Sequence, residues 1–234
     1  MSNELRFLVH LDSLVGRDQE LRILSEALLS TTDSPRPVAV TGMAGIGKTA
    51  LVEWFAKQHA ERFPGGYVRL SASEVQPDDR AFIAALVAHL ALSPSEEDQG
   101  EPVRRRLLNL RTLLHIEDVD TRPMALAVAA LVRRLRGCAA VVTGRFEALG
   151  AGSDWVAIRL GPIGPAEALE LLAREHQPAA DVAEEMAQRA LAAAFEGSPL
   201  ALRLGARLLK AGTTTADLLS MLEERGTTKD DQPP

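Results

Sequence analysis

Apolar positions along this chain follow two rhythms. Over 18–30, 48–60, 80–91, 103–110 and 123–136 they recur at about three- to four-residue spacing, which predicts helices with one buried face. Between them lie short runs at 37–41, 66–71, 112–117, 138–143 and 155–160, aliphatic or β-branched and closed by polar or glycine residues. Such runs predict strands buried on both faces. Their alternation with helices predicts an α/β domain: a five-stranded parallel sheet sandwiched by helices, with functional residues at the C-terminal strand ends. After Gly161-Pro162-Ile163-Gly164-Pro165 the strand rhythm stops, and only helical spacing continues over 166–175, 180–195, 199–210 and 215–225. The expected organisation is an α/β domain over 1–161, a small all-α domain over 162–226 and a disordered tail over 227–234. The stretch 93–101 carries no apolar residue and predicts a solvated, mobile loop.

Composition narrows the class without changing this outline. The chain has 234 residues, 46% of them hydrophobic and 25% charged, with a net charge of −6, so a surface built broadly to coat nucleic acid is not expected. The one cysteine, Cys138, excludes an internal disulfide framework and fits a reducing compartment. The longest nearly apolar run, 124–132, falls well short of the roughly 18 residues that span a bilayer. With no signal-peptide pattern at Met1-Ser2-Asn3-Glu4, the expectation is a cytoplasmic protein without a membrane partner. Of the 26 basic residues 22 are arginine, so Lys48, one of four lysines, is more informative than any single arginine.

That lysine lies in Gly42-Met43-Ala44-Gly45-Ile46-Gly47-Lys48-Thr49, a complete G-x-x-x-x-G-K-[ST] phosphate loop between the predicted strand at 37–41 and a helix through Leu51, Val52 and Phe55. Its glycines let the backbone turn N–H groups toward phosphate oxygens. Lys48 is placed to reach the β- and γ-phosphates and Thr49 to ligate Mg²⁺ at a helix N-terminus. The predicted fold is therefore that of a P-loop NTPase. The run Leu113-Leu114-His115-Ile116 ends in Glu117-Asp118-Val119-Asp120, the form of a Walker B element. Glu117 is assigned to Mg²⁺ through water and Asp118 to the attacking water, whereas Asp120, before Thr121-Arg122-Pro123, reads as a helix-capping residue. His115 reads as a satisfied polar residue facing a helix. A third run, Cys138 to Val142, presents Thr143 and Arg145 at its end, and Arg145 is the candidate reader of the γ-phosphate. Arg104-Arg105-Arg106 reads as a solvated helix face balanced by the acids upstream.

These residues resemble the NB-ARC branch of the STAND ATPases, the nucleotide-binding switch module of AAA+ lineage found in plant disease-resistance proteins, the animal apoptosome activator and many bacterial regulators. Leu14 to Leu21 resembles the family's adenine-side motif, Val40 to Thr49 its phosphate loop and Val141 to Arg145 its Thr-Ser-Arg strand end. Ile158 to Pro162, followed by Glu167 to Leu172, resembles the lead-in to its helical domain, and Gly197-Ser198-Pro199 its Gly-x-Pro motif. The resemblance implies that Val15 and Arg17 lie on the adenine side, that Pro199 packs on the adenine, and that Gly42 to Thr49 with Ala50 hold the phosphates. Glu117 stands where the family usually has Asp, and the chain ends soon after Pro199, so the expectation is a module without the family's winged-helix, effector and sensor-repeat domains.

The resemblance implies an ATP- or ADP-binding switch with slow, Mg²⁺-dependent hydrolysis, held in the cleft between the two domains, in which Lys48, Glu117, Asp118 and Arg145 carry the chemistry. Expected partners are adenine nucleotide, a nucleotide-dependent homo-oligomer and effector or sensor elements outside this chain, in signalling or defence. Two alternatives remain open at this point: a nucleotide-binding scaffold without significant hydrolysis, and an AAA+-like ATPase acting on DNA or transcription.

Overall fold

The computed structural model describes residues 14–30, 34–92, 100–152, 154–176 and 181–227. They fall into two compact units, one within 1–44 and 48–160 and the other within 45–47 and 161–234. In the first, the order is α1 (Asp18–Leu28), β1 (Val38–Thr41), α2 (Lys48–Gln58), β2 (Tyr67–Ser71), α3 (Asp79–His89), α4 (Gly100–Asn109), β3 (Leu113–Glu117), α5 (Arg122–Arg134), β4 (Ala139–Gly144) and β5 (Val156–Arg159). The strands form one parallel sheet in the order β2-β3-β4-β1-β5, with β1 paired to β4 (Ala39 opposite Val142) and to β5 (Thr41 opposite Arg159).

The sequence rhythm explains this layering. β1 and β4 are buried at every position, which a strand reaches only when helices cover both faces of the sheet. One face packs Ala39, Leu114, Ile116 and Val142 against Phe82 and Leu86 of α3, Val103 and Leu107 of α4, and Val128 and Leu131 of α5. α1 and α2 cover the other face, with Leu24, Leu51 and Phe55 fully buried. The edge strands β2 and β5 are only partly buried. α4 starts at Gly100, so Gly100 and Glu101 are helical where a solvated loop was expected, while 93–99 lie outside the described residues. Glu101 falls in the first turn, where the helix dipole favours an acid, and Val103 and Leu107 anchor the helix in the core.

The second unit is helical: α6 (Pro165–Glu175), α7 (Val182–Ala194), α8 (Pro199–Lys210) and α9 (Thr215–Thr227). Asp181 caps α7 by accepting from Glu184 N at 2.8 Å, and Ser198 caps α8 with Pro199 in its first turn. Leu191, Leu209 and Leu218 form a small core to which Phe195, Leu219 and Leu222 add. The tail expected from 227 lies, apart from Thr227 at the end of α9, outside the described residues. Among the described residues no helix is long and apolar enough to cross a membrane.

One polar residue interrupts the sheet core. His115, fully buried in β3, is satisfied by flanking strands instead of by a helix: its Nδ1 lies 2.5 Å from the Tyr67 hydroxyl of β2 and its Nε2 2.9 Å from Thr143 Oγ1 of β4. Burial, reinforced by the Arg69 cation, pushes the imidazole down to about 3, and burial holds the Tyr67 phenol above its ordinary range. The neutral ring donates from one nitrogen and accepts at the other, so the two hydroxyls satisfy both. Below pH 6.5, the ordinary value, the unfolded chain binds a proton here that the folded chain refuses until about pH 3. This contribution to stability is complete above that window and is lost as pH falls through it, at up to about 1.4 kcal/mol per pH unit. Urea unfolding of the wild type and of His115→Gln at pH 7.5 and 5.5 checks this. The wild type is expected to lose roughly 1 kcal/mol more than the variant across that interval, and equal losses would contradict the neutral, doubly bonded imidazole.

Candidate functional site

β1 ends at Thr41 and α2 begins at Lys48, so the six residues between them must reverse the chain tightly. Gly45 and Gly47 do this with φ of +76° and +98°, a region that costs a side chain steric strain. Ile46 is buried, while Met43 is exposed. α2 has no acid in its first turn, so nothing there competes for the positive end of the helix dipole with an anion. Lys48 Nζ donates to Gly42 O and Met43 O, both at 2.9 Å, folding back over the loop. Partial burial lowers its ordinary value, Asp120 and Asp118 oppose that, and Arg145 adds to it, so these charged groups act together around the ammonium.

The strand end of β3 meets the start of α2. Thr49 Oγ1 donates to Glu117 Oε2 at 3.2 Å, and Arg69 of β2 lies 3.4 Å from the other Glu117 oxygen and 3.3 Å from Glu53, an acid of α2 that is almost wholly buried. Glu117 is half-buried, and burial raises its carboxyl above the usual range although the Arg69 cation and the Thr49 hydroxyl pull the other way. A hydroxyl and a carboxylate oxygen side by side are hard donors of the kind Mg²⁺ takes in small number, leaving its other positions to phosphate and water. Two such donors from the protein fit Mg²⁺ arriving with a phosphate ligand; among the described residues no group of three or more His, Cys, Asp or Glu is placed to hold a metal.

Asp118 follows with φ of +62°, an uncommon backbone state for a non-glycine residue and one that aspartate tolerates. Its exposed carboxylate accepts from Ser71 Oγ at 2.8 Å. Asp120 is not the helix cap expected from the sequence. Thr121 caps α5, accepting from Met124 N at 3.4 Å, and the Asp120 carboxylate is turned to Arg145, accepting from its backbone N at 2.8 Å and its Nε at 2.7 Å and lying 2.6 Å from Nη2. Glycine at 144 makes this possible, because a Cβ there would collide with Val119 O, while Val119 N donates to Thr143 O at 3.1 Å. The ends of β3 and β4 are thereby joined through backbone and side chain.

Lys48, Thr49, Glu117, Asp118 and Arg145, picked out from the sequence, thus lie on neighbouring strand and helix ends of the first unit. Gly42, Met43, Ala44, Gly45, Ile46 and Gly47 form the loop, and Ala50 continues it into α2. Val15 and Arg17 are buried ahead of α1, with Arg17 3.1 Å from Glu20. Pro199 opens α8 in the second unit. The sequence reading missed Glu53, Arg69, Ser71 and the pairing role of Asp120. A signal existed for Glu53, a lone acid inside Leu51-Val52-Glu53-Trp54-Phe55-Ala56, since a charge in so apolar a turn needs a buried partner.

The chain matches the AAA ATPase domain family over residues 13–137, just over half of its length. It is 32% identical over 208 residues to the regulatory protein AfsR of Streptomyces griseus, an alignment covering 85% of this chain and 21% of that protein. The chain therefore spans about a fifth of the curated relatives it matches. Among solved structures its fold is similar to Cdc6p of Pyrobaculum aerophilum, with a TM-score of 0.59 at 15% identity over 88% of this chain and 63% of that one. It is likewise similar to a STAND protein with a tetratricopeptide repeat sensor from Pyrococcus horikoshii, with a TM-score of 0.54 at 19% identity over 82% and 29% of the two chains. With a family match over most of the sheet, a five-stranded parallel sheet of the corresponding fold and β4 inserted between the strand that feeds the phosphate loop and the strand that ends in the acids, the chain belongs to the AAA ATPase domain family.

Proposed function

We propose that this chain is the nucleotide-binding module of a STAND-class regulator of the NB-ARC kind, which binds ATP or ADP with Mg²⁺ and hydrolyses ATP slowly to reset a conformational and oligomeric switch. The observation that carries this reading is the 3.2 Å contact between Thr49 of the phosphate loop and Glu117 at the end of β3, which sets a metal-ligating pair beside Lys48. The likeness to a repeat-sensor STAND protein and to a bacterial regulatory protein favours signalling, and the regulator's input and output are taken to reside in other segments or partners.

The protein's own groups divide the work. Lys48 leaves the carbonyls of Gly42 and Met43 to pair with the β- and γ-phosphates, and the loop N–H groups hold the remaining oxygens. Thr49 would hold Mg²⁺ directly and Glu117 through water, and the metal would supply charge that offsets that of the phosphates. Asp118, freed from Ser71, orients the attacking water and takes its proton as the terminal phosphate bond breaks. Arg145 exchanges its Asp120 carboxylate for the γ-phosphate, so only the triphosphate can draw it away. That exchange is a differential contact able to bias two conformations. The raised Glu117 carboxyl and its Arg69 partner favour a second reading, a nucleotide-held scaffold with negligible turnover. Single-turnover hydrolysis with Mg²⁺ separates the two.

Lys48→Ala is expected to weaken ATP and ADP binding at least about tenfold, the loss of one charged hydrogen-bonding partner, in a fluorescent-nucleotide titration; unchanged affinity would remove the phosphate-loop assignment. Asp118→Asn is expected to lower single-turnover hydrolysis by about 10²- to 10⁴-fold while ATP affinity stays within about twofold. Full activity in that variant would transfer the role elsewhere or leave the scaffold reading. By calorimetry, Arg145→Ala is expected to lose ATP affinity and keep that for ADP, and light scattering should show ATP-dependent association of the wild type that the variant lacks. Equal losses for both nucleotides would refute the γ-phosphate role.

A further inference from the structure

The rim where the strands begin, at the opposite end of the sheet from the phosphate loop, holds two adjoining clefts of about 670 and 420 Å³ that share Pro35, Gly137 and Cys138. Their floors are apolar, with Val132, Leu135 and Trp155 in the larger and Leu28, Phe63 and Leu107 in the smaller. Their walls are mainly cationic, with Asp154 in the larger cleft the one acid among the residues that line them. Arg133 and Arg136 flank the larger cleft, Arg62 and Arg111 the smaller, and all four are exposed and without a carboxylate partner among the described residues. Elsewhere arginines such as Arg134, Arg159 and Arg189 meet carboxylates at 2.9, 2.8 and 2.6 Å.

The C-termini of α4 and α5 attract cations, yet no hydrogen bond among the described residues takes these four guanidinium groups to a helix carbonyl. Arg111 carries a further mark. It closes α4 in a Schellman turn, Arg111 N donating to Leu108 O and Thr112 N to Leu107 O, both at 3.0 Å, with φ of +49°. Glycine fills that position without steric cost, as Gly137 with φ of +89° does in the turn after α5. Arg111 occupies it nonetheless, as Ala91 with φ of +50° does at the end of α3.

We propose that these clefts are a docking surface for an acidic, amphipathic peptide segment of a partner protein. Its apolar side chains fill the two floors, and its carboxylates take the fork geometry of Arg62, Arg111, Arg133 and Arg136. Charge complementarity selects this occupant: the chain as a whole is at −6, so a carboxylate-rich segment is repelled by the surface at large and drawn to this rim. Nucleic acid offers phosphates but no aliphatic side chains for the floors, and the net charge opposes it.

The test is a random-peptide display selection on the full chain, counter-selected on an Arg133→Glu/Arg136→Glu double variant whose ATP binding and thermal unfolding are first shown to match the wild type. Net-acidic peptides with one to three Leu, Phe or Trp positions are expected to enrich, and synthetic copies should lose at least tenfold in affinity on the double variant and on Arg62→Glu/Arg111→Glu. Neutral or basic consensus sequences, equal binding to the variants or no enrichment would overturn the proposal, as would tighter binding of a 20-base-pair DNA duplex than of every selected peptide in the same anisotropy assay. If one double variant fails to fold, the other carries the comparison.

Discussion

Two-sided burial of β1 and β4 is the constraint from which the rest of the first unit follows. A strand with no exposed residue can be entered and left only at its ends, so every polar function must gather where backbone emerges from the sheet. At the C-terminal end of β1 the emerging backbone is the glycine loop. At the ends of β3 and β4 it is Glu117 to Asp120 and Thr143 to Arg145. Placing β4 between β3 and β1 makes those ends neighbours and brings acids and arginine to the side of Lys48.

The same constraint explains the polar groups inside the layer. His115 is tolerated at the centre of the sheet because Tyr67 and Thr143 occupy both ring nitrogens, and Glu53 because Arg69 reaches it. Arg69 also touches Glu117, so one guanidinium satisfies a buried acid on α2 and steadies an acid at the edge of the site.

The five strands and the phosphate loop were legible because each is a local statement: an apolar run of the right length, or eight residues of fixed type. Strand and helix limits in the sequence reading differ from those in the structure by up to about three residues, as fraying and capping allow. Asp120 was misread because capping is the local rule for an acid before Thr-Arg-Pro, whereas its partner Arg145 stands 25 positions away and meets it only through the strand order. Arg69 and Ser71 were missed for the same reason, since their roles depend on β2 lying in register beside β3, with Ser71 opposite Glu117. Glu101 shows the opposite error: a polar stretch looks like loop until the buried Val103 behind it recruits it into a helix.

The Asp120–Arg145 clamp has a consequence for how the loop region discriminates among anions. Lys48 and Arg145 are faced by Asp118 and Asp120, with the Glu117–Arg69 pair beside them, so opposite charges already surround both cations. A monovalent anion entering it gains little, because each cation already has an oxygen to face. A ligand bearing several charges on adjacent phosphorus centres would have to displace both lysine carbonyl bonds and the arginine clamp together, and would then face the released Asp120 carboxylate. On the proposed nucleotide reading, an anion must therefore offer several charges at once to open the group.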